Sequence, residues 1–493
     1  MNELILLIPI LLPVIAGVLA GFLPSLRRDR TLYPFVTTVL VINAAAVVGV
    51  ALLPEIRFDV LASGSKFAIA FRSDDVSRLF SVISSLAWLI TAVYSYKYMA
   101  HEDAHPRFYA FYLIVIGLLN ALDYAANLIT MYFCYEFMTL CSVPLVLHAL
   151  TKEAISAGLK YLFYSIAGAL MALFGFFFIF AYANTLEFTP GGVIDSTLLA
   201  GHEPAFLVGV FIALIGLCTK AGMFPMHGWL PTAHPIAPAP ASAQLSAVIT
   251  KAGVLCVIRT VFFTVGADRL AGTWVQYAWM ILALVTIFMG SMMAFRERGI
   301  KKRLAYSTIS QVSYVLLGLS FLTPTAVTGS LLHVAFHMAA KSALFLCAGS
   351  IIFKTGNTRT DELRGLGISM PVTFWCWTLA SLTLIGIPPT SAFLSKWYIA
   401  TGALASGAVA GLPAVLSWLA PVVLLLSALL TAGYLLPVAT GGFFPGRDFD
   451  REKVPRLDGD RTLTVPLCVF TAAAVLLGVY AAPLIRFITQ ISL

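Results

Sequence analysis

The sequence predicts an all-α polytopic membrane protein, and three observations predict it: few charges, high hydropathy and long apolar runs. Of the 493 residues, 60% are hydrophobic and 11% are charged, and the mean hydropathy is +0.92. A soluble domain has about 25% charged residues. Apolar runs of about 20 residues, the length that crosses a bilayer, recur along the chain and give about 14 transmembrane helices. A soluble multidomain protein is therefore excluded.

The predicted spans follow one another with short connections, and the first is expected to be a retained helix rather than a cleaved signal peptide. Their approximate positions are 4–23, 31–53, 76–99, 108–125, 127–149, 158–184, 204–228, 240–263, 271–295, 304–322, 326–353, 371–402, 412–440 and 462–489.

Spans seven and twelve are each interrupted by proline, in "KAGMFPMHGWLP" and "LIGIPPTSAFLSKW". Each break lies near a lysine, and the two breaks are five spans apart. Paired broken helices are typical of an inverted repeat around a membrane-embedded site. We therefore predict two five-helix units, with broken helices seven and twelve. The four predicted segments are 1–107 (N-terminal helices with an external hairpin), 108–266 (first repeat), 267–440 (second repeat) and 441–493 (C-terminal loop and last helix).

Lysine and arginine are concentrated in the loops after odd-numbered spans, for example at Arg27, Arg298 and Arg447. The positive-inside rule places those loops in the cytoplasm and both termini outside. The net charge of +8 is explained by these topogenic residues, so we predict no nucleic-acid binding. The loop at 54–75 alternates apolar and polar residues in "IRFDVLASGSKFAIAFRSDD", a pattern that predicts a small external β-hairpin.

Five ionisable side chains fall well inside predicted spans: Glu136, Lys220, Lys251, Lys341 and Lys396. Each opposes insertion by roughly 2.5 to 3.5 kcal/mol. Snorkelling to an interface or a static ion pair explains single cases, but one glutamate cannot neutralise four lysines. Desolvation weakens the hold of a lysine on its proton, and a nearby carboxylate restores it. The set therefore predicts a proton relay.

His333, His337 and Lys341 are spaced i, i+4, i+8 in "LLHVAFHMAAKSALF", so they share one helix face. A lone histidine on such a face is commonly a core residue, whereas three proton-carrying groups on one face favour a hydrated path. A zinc site is the competing interpretation, but the motif has neither the glutamate of H-E-x-x-H nor a third ligand nearby. We predict no metal.

The break beside Lys220 frees backbone groups that lipid cannot satisfy, which predicts a hydrated pocket at that lysine. His227 and His234 flank the break. Two interpretations remain open for them: entry or exit of the pathway, or capping of the loop.

The seven cysteines occur singly in apolar segments, without a C-x-x-C pair. They therefore give no support to an iron–sulfur or zinc site. Since the sequence also has no motif that binds flavin, nucleotide or metal, we predict no cofactor and no catalytic site belonging to the chain itself.

Several motifs jointly resemble the antiporter-like subunits of the proton-pumping respiratory superfamily. This superfamily includes membrane subunits of NADH:quinone oxidoreductase (complex I), of membrane-bound hydrogenases, and the A-type and D-type subunits of the Mrp Na+/H+ antiporters. The resemblance covers roughly residues 70 to 440. The motifs are "YEFMTL", "KAGMFPMHGWLPTAHPIAPAPASA", "ITKAGV", "RLAYSTISQVSY", "HVAFHMAAKSALFL" and "GIPPTSAFLSKW".

The resemblance implies a role for each buried charge. Glu136 matches the glutamate of helix five, and Lys220 matches the lysine of broken helix seven with which it pairs. Lys251 matches the central lysine of helix eight, and Lys396 the terminal ionisable group of broken helix twelve. The histidines and lysine of span eleven match a polar stripe. In the superfamily these groups form a charged axis that carries protons or sodium ions, driven by neighbouring subunits in a bacterial or archaeal plasma membrane.

Among these relatives the chain most resembles the D-type subunit of the Mrp antiporters. It ends without the long lateral helix of one complex I subunit, has Lys396 where another has glutamate, and has Thr232 where complex I subunits commonly have aspartate. A subunit of complex I or of a hydrogenase, and so of a redox-driven enzyme, is the alternative. Two further hypotheses are a stand-alone transporter for a small solute, and an enzyme acting on a quinone.

Overall fold

The structure is a computed structural model, which describes residues 3–61, 64–406, 411–446 and 455–492. Within these ranges the chain is built from helices, with one small hairpin. The same ranges contain 12 helices that are long and apolar enough to cross a membrane. The predicted class, an all-α polytopic membrane protein, is therefore confirmed.

The first half of the chain contains helices on both sides of the hairpin. They are α1 (Ile8–Phe22), α2 (Asp29–Leu52), α3 (Asp75–Tyr98), α4 (His105–Asp123), α5 (Leu128–Val146), α6 (Lys152–Tyr182), α7 (Ser196–Leu199), α8 (Glu203–Ala221), α9 (Leu230–Ile236), α10 (Ala239–Gln244) and α11 (Thr250–Ile258). Two π-helical segments, Leu245–Ile249 and Arg259–Val265, extend α10 and α11 into one continuous span, Ala239–Val265.

The second half continues with ten further helices. They are α12 (Ala267–Leu270), α13 (Trp274–Arg296), α14 (Ile300–Ser320), α15 (Pro324–Thr355), α16 (Leu366–Ser369), α17 (Pro371–Ile385), α18 (Ser391–Leu404), α19 (Gly411–Phe443), α20 (Arg461–Val479) and α21 (Ala482–Thr489). Short 3₁₀ segments lie at Glu3–Leu7, Pro24–Leu26, Met99–His101 and Thr360–Leu363.

The hairpin predicted between the second and third spans is present. Strands β1 (Arg57–Leu61) and β2 (Ile69–Arg72) pair antiparallel, with Arg57 opposite Arg72. A register shift between Asp59 and Leu61 interrupts the ladder. The hairpin is held against the helices by the Arg57 guanidinium, whose two terminal nitrogens donate to the Glu187 carboxylate at 2.8 and 2.9 Å.

Three predicted spans differ from simple long helices. Span ten is α14, whose first turn carries three basic residues, so α14 is not among the 12 apolar helices. Span twelve is divided into α17 and α18, and span fourteen into α20 and α21. The total of 14 spans, the inverted repeat and the four segment boundaries therefore stay predictions. Arg447, which we assigned to a cytoplasmic loop, lies outside the described residues.

Both predicted helix breaks are present and share one local geometry. Gly222 directly follows α8 and Gly386 directly follows α17, and both glycines adopt the left-handed conformation, with φ of 79° and 87°. Glycine is the residue that adopts this conformation without a Cβ penalty, so it is the usual residue that ends a helix. Each break thus separates two half-helices at a defined residue.

Two helices form the centre of the molecule. In the most apolar 18-residue windows, 100% of the Ala239–Val265 span and 89% of α15 are buried, compared with 39% of α6. The central two helices therefore contact other helices almost all round, whereas α6 exposes one side to the surroundings. Lys251 lies on the first central helix, and His333, His337 and Lys341 lie on the second.

Candidate functional site

Lys251 and His337 lie at the contact between the two central helices. The Lys251 Nζ atom is 2.6 Å from His337 Nδ1, and it donates a second hydrogen bond to the Ser246 carbonyl oxygen at 2.6 Å. Ser246 belongs to the π-helical segment Leu245–Ile249, and π-helical turns are frequent at functional sites. Both side chains are buried, so the amine meets an imidazole rather than water or lipid.

The polar contacts continue from His337 towards the second helix break. The rings of His337 and His333 are 5.8 Å apart, and His333 Nδ1 is 2.8 Å from the Ser395 Oγ atom. The Tyr314 ring lies 5.5 Å from His333 and 5.1 Å from the Lys396 Nζ atom. The Nε2 atoms of both histidines are buried and have no partner among the described residues. Each imidazole therefore has one nitrogen engaged and one available.

Lys396 is bound to the broken end of α17. Its Nζ atom donates to the carbonyl oxygens of Leu384 at 2.6 Å and Ile385 at 2.9 Å. The last carbonyls of a helix have no intrahelical partner and carry the negative end of the helix dipole. The break thus supplies two acceptors for the ammonium group of this half-buried lysine.

Lys341 joins Lys251 through hydroxyl and carbonyl groups. Its Nζ atom donates to the Leu304 carbonyl oxygen at 3.0 Å, and the Thr308 Oγ1 atom donates to the same oxygen at 2.9 Å. Thr308 Oγ1 is in turn 2.6 Å from the Ser246 Oγ atom. Ser246, whose carbonyl oxygen accepts from Lys251, is therefore linked through Thr308 to the same Leu304 carbonyl that accepts from Lys341.

Lys220 lies in a separate pocket formed by α5, α6 and α8. Its Nζ atom donates to the Tyr161 hydroxyl at 2.8 Å and lies 5.7 Å from the Tyr135 ring centroid. The pairing with Glu136 that the resemblance implies is not a direct contact: no ion pair within 4 Å joins them in the described part of the chain. Glu136 is half-buried and accepts instead from the Tyr132 hydroxyl at 3.0 Å.

The first break satisfies its own backbone without Lys220. The Trp229 Nε1 atom donates to the carbonyl oxygen of Thr219 at 2.9 Å. At this carbonyl the donor is therefore an indole N–H, and the hydrated pocket that we predicted at Lys220 stays a prediction. The two breaks differ in this respect, because at the second break the lysine itself provides the donor.

The two histidines of the first break differ in burial. His227 is half-buried, with its ring stacked 5.8 Å from Phe224. His234 is fully buried, stacks 4.9 Å from Phe345, and has no partner for either ring nitrogen within the described ranges. A buried imidazole without partners is unusual. Of the pair, His234 therefore has the surroundings expected of a functional group.

A cavity of about 430 Å³ opens beside His234. It is lined by residues including His101, Glu102, Pro238 and Lys301. The Lys301 Nζ atom donates to the carbonyl oxygens of Pro235 at 3.2 Å and Ala237 at 2.6 Å. Lys301 precedes the predicted start of span ten at 304, but it is buried in the first turn of α14. The cavity thus approaches the central helices at one end.

Sequence analysis missed two further buried charges, Asp123 and Arg259. Both fall inside predicted spans, so the criterion that selected Lys251 could also have found them. Arg259 forms an ion pair with Asp74, whose shortest distance is 2.6 Å. Among the residues that the structure describes, no group of three or more His, Cys, Asp or Glu side chains is arranged to hold a metal ion.

Comparison with known proteins gives matches over most of the chain. Residues 125–420 match the family model described as NADH:quinone oxidoreductase/Mrp antiporter, TM. The chain is 31% identical to the NADH-quinone oxidoreductase subunit N of Desulforudis audaxviator over 84% of this chain and 82% of that one. It is 26% identical to the D-type subunit of the Na(+)/H(+) antiporter of Alkalihalophilus pseudofirmus over 92% and 91% of the respective chains.

The fold is also similar to that of a solved structure. The chain superposes on one from the Mrp complex of Dietzia sp. DQ12-45-1b with a TM-score of 0.83, at 22% sequence identity, covering 99% of this chain and 96% of that one. At this identity the likeness bears on the fold alone.

Proposed function

Because this chain belongs to the NADH:quinone oxidoreductase/Mrp antiporter family of membrane subunits, we propose that it moves protons across the membrane through its buried amines and imidazoles. The observation that carries the proposal is the 2.6 Å contact between Lys251 Nζ and His337 Nδ1. A lysine in contact with an imidazole, away from lipid and bulk water, can give up and regain a proton without separating charges over a long distance.

The proposed transfer uses both nitrogens of each imidazole. His337 receives a proton at Nδ1 from the Lys251 ammonium group and releases one from Nε2, which is the free nitrogen among the described contacts. His333 lies next along α15, with its Nδ1 atom against Ser395. The proton thus advances along the shared face of α15 towards Lys396. Lys341, through Thr308 and Ser246, biases the charge at Lys251.

His234 is the proposed entrance to this path. Its neighbour Pro235 lines the cavity at Lys301, and its ring stacks on Phe345 of α15, the helix that carries Lys341. Lys220 and Glu136 form a second relay element. The two side chains attract each other at long range, and this attraction changes when either of them gains or loses a proton. His227, at the more exposed side of the break, has the weaker support for a role in entry or exit.

The parent assembly is proposed to be an Mrp-type cation/proton antiporter, with other membrane subunits as partners, protons as the principal ion, and both termini outside. Sodium is the candidate coupled ion in such an antiporter. The second candidate is a proton-pumping subunit of a respiratory NADH:quinone oxidoreductase, which the 31% identity to a subunit N favours. Purifying the chain with its associated subunits separates the two, because only the second assembly contains redox subunits.

The test is proton movement by the intact complex in reconstituted vesicles, followed with a pH-sensitive dye. Lys251→Ala should abolish translocation while leaving assembly of the complex unchanged. Lys354→Ala, at the last turn of α15 and outside the buried network, is the matched control and should translocate normally. Wild-type rates in Lys251→Ala would refute the relay.

A further inference from the structure

A second group of charges, buried or partly buried, lies at the end of the central span that is far from Lys301. It consists of Asp74, Asp123 and Arg259, none of which takes part in the relay described above. The N–H of Arg72 donates to the Tyr124 carbonyl at 2.6 Å, which fixes the end of α4, with Asp123, beside the loop that carries Asp74. The three side chains are thus brought together from α4, from the start of α3 and from the π-helical segment after α11.

Asp123 is a carboxyl group without a hydrogen-bond donor at one of its oxygens. Its side chain is 2% exposed, and its Oδ2 atom is buried with no partner in the described ranges. Tyr124, the next residue, has a buried hydroxyl that is also unpartnered there. Buried polar groups are almost always hydrogen-bonded, and exceptions mark bound water or a functional role. Asp123 interacts electrostatically with Arg259 without being bonded to it.

Arg259 is held instead by Asp74. Its two terminal nitrogens donate to the two carboxylate oxygens of Asp74 at 2.6 and 2.7 Å. The guanidinium group lies 5.2 Å from the Phe188 ring and 4.8 Å from the Phe263 ring. It is therefore fixed between two aromatic faces, with one carboxylate bonded and another within electrostatic range.

Asp74 connects this group to a cavity of about 300 Å³, lined also by Glu55, Arg72, Arg78 and Phe263. The cavity at Lys301 is lined by Tyr98 and His101, whereas this cavity is lined by Asp74 and Asp75. These residues mark the two ends of the membrane span Asp75–His101, which has 27 residues. At 1.5 Å per residue the two cavities are about 40 Å apart along that helix, so they open at opposite faces of the molecule.

Polar groups also extend from Asp123 towards Lys220. The buried thiol of Cys256 lies near both Lys220 and Asp123. The Tyr135 hydroxyl, buried and unpartnered among the described residues, lies in the same region, since the Tyr135 ring is 5.7 Å from Lys220 Nζ and interacts with Cys256. The space between the amine and the carboxyl is thus bordered by groups with open hydrogen-bonding capacity.

We propose that Asp123 is a proton-carrying carboxyl group that connects the buried amines to the cavity at Asp74, with Arg259 as the residue that stabilises its ionised form. This inference rests on the proposed proton translocation and adds an exit from the Lys220 element, on the face opposite Lys301, beside the path along α15 towards Lys396. The transferred species is a proton, carried between the fixed groups by water.

The step is balanced by simple proton exchange. The Lys220 ammonium group loses an N–H proton to water, and water delivers a proton to the Asp123 carboxylate, where an O–H bond forms. Asp123 then gives that proton to water in the cavity, and its carboxylate charge is again opposed by Arg259. Arg259 stays bonded to Asp74 throughout, so neither the guanidinium group nor Asp74 changes its charge.

Variants of the intact complex in vesicles test the proposal. Asp123→Asn keeps the shape of the side chain but cannot be ionised, and should lower the rate of translocation at least tenfold. Asp123→Glu retains the carboxyl group and should recover part of that rate. Asp268→Asn replaces an exposed aspartate near the same end of the molecule and should have a wild-type rate. Recovery with glutamate distinguishes proton transfer from a packing role.

The outcomes separate this inference from the proposed function. Normal translocation by Asp123→Asn, together with loss in Lys251→Ala, overturns the exit and leaves the relay. Normal translocation by both overturns both. A second measurement needs no variant: a membrane-permeant carbodiimide, which adds to protonated carboxyl groups in apolar surroundings, should modify Asp123 in the wild-type complex. Mass spectrometry showing modification of Glu136 but not of Asp123 would also overturn the proposal.

Discussion

Lys251 and His337 lie 86 positions apart in the sequence and are joined by a 2.6 Å hydrogen bond between Nζ and Nδ1. The bond crosses the contact between the Ala239–Val265 span and α15, both of which are largely buried. It therefore joins an amine and an imidazole that could each be recognised separately in the sequence, and it makes the proton affinity of one group depend on the charge of the other.

Replacing His337 by glutamine should interrupt proton transfer at this contact. Glutamine retains a hydrogen-bonding group of similar size but cannot accept a proton, so the rate of translocation should fall about 100-fold. The dye assay in vesicles measures the effect. His202→Gln changes an exposed histidine away from the cavity at Lys301 and should leave the rate unchanged; equal rates in the two variants would remove His337 from the path.

Lys396 should contribute to stability as well as to transport. Replacing it by methionine removes the donor for the carbonyls of Leu384 and Ile385, and each unsatisfied buried carbonyl costs about 1 to 3 kcal/mol. The Tm of the detergent-solubilised protein should therefore fall. Lys354→Met is the control and should have a wild-type Tm. A Tm for Lys396→Met equal to that of the control would indicate that water replaces the lysine at the helix break.

Gly253 allows the helices that carry Lys220 and Lys251 to approach closely. A Cβ atom at Gly253 would lie 2.9 Å from the Lys220 Cβ atom and 3.0 Å from the Leu217 carbonyl oxygen. Gly253→Ala should therefore push α8 away, lower the Tm and reduce translocation, since overpacking typically costs about 1 to 3 kcal/mol.

The matched control for this substitution is Gly49→Ala. Gly49 also lies inside a helix, but a Cβ atom there would have nothing within 4 Å among the described residues. Alanine is favoured over glycine in a helix by about 1 kcal/mol, so this variant should be unchanged or slightly more stable. If both variants had the same Tm, close packing at Gly253 would not be the reason for glycine at that position.

Much of the candidate site could be predicted because a charge inside an apolar run is visible in the sequence alone. Lys220, Lys251 and Lys341 were found in this way, and all three are buried. The shared face of His333 and His337 followed from helical spacing, and the two helix breaks followed from proline. These features depend on neighbouring residues along the chain, which is why one sequence is sufficient.

The partners of these groups could not be predicted because they come from distant parts of the chain. Arg259 and Asp74 are 185 positions apart, and Ser246 meets Thr308 across 62 positions. Backbone carbonyls such as that of Leu304, which accepts from Lys341, have no signal in the sequence, because every residue carries one. The helix packing that selects one carbonyl or hydroxyl among many is a property of the fold.

The ion pair between Asp74 and Arg259 should make stability depend on pH. Burial raises the pKa of Asp74, but the Arg259 charge and hydrogen bonds lower it further, so the pKa is well below its usual range. A carboxyl group with a lowered pKa in the folded state stabilises the protein above its unfolded pKa, about 3.9, and loses that contribution as the pH falls towards the folded pKa. The stabilisation is therefore complete at neutral pH.

Asp74→Asn isolates this charge, because asparagine can still accept the hydrogen bond from the Ser77 N–H that caps α3. The variant should have a lower Tm than the wild type at pH 7, and the difference should shrink below about pH 4, where the wild-type carboxylate begins to protonate in the unfolded state. Asp268→Asn should leave the Tm unchanged at both pH values. A difference between Asp74→Asn and the wild type that persisted undiminished to low pH would mean that shape, rather than charge, determines the contribution of Asp74.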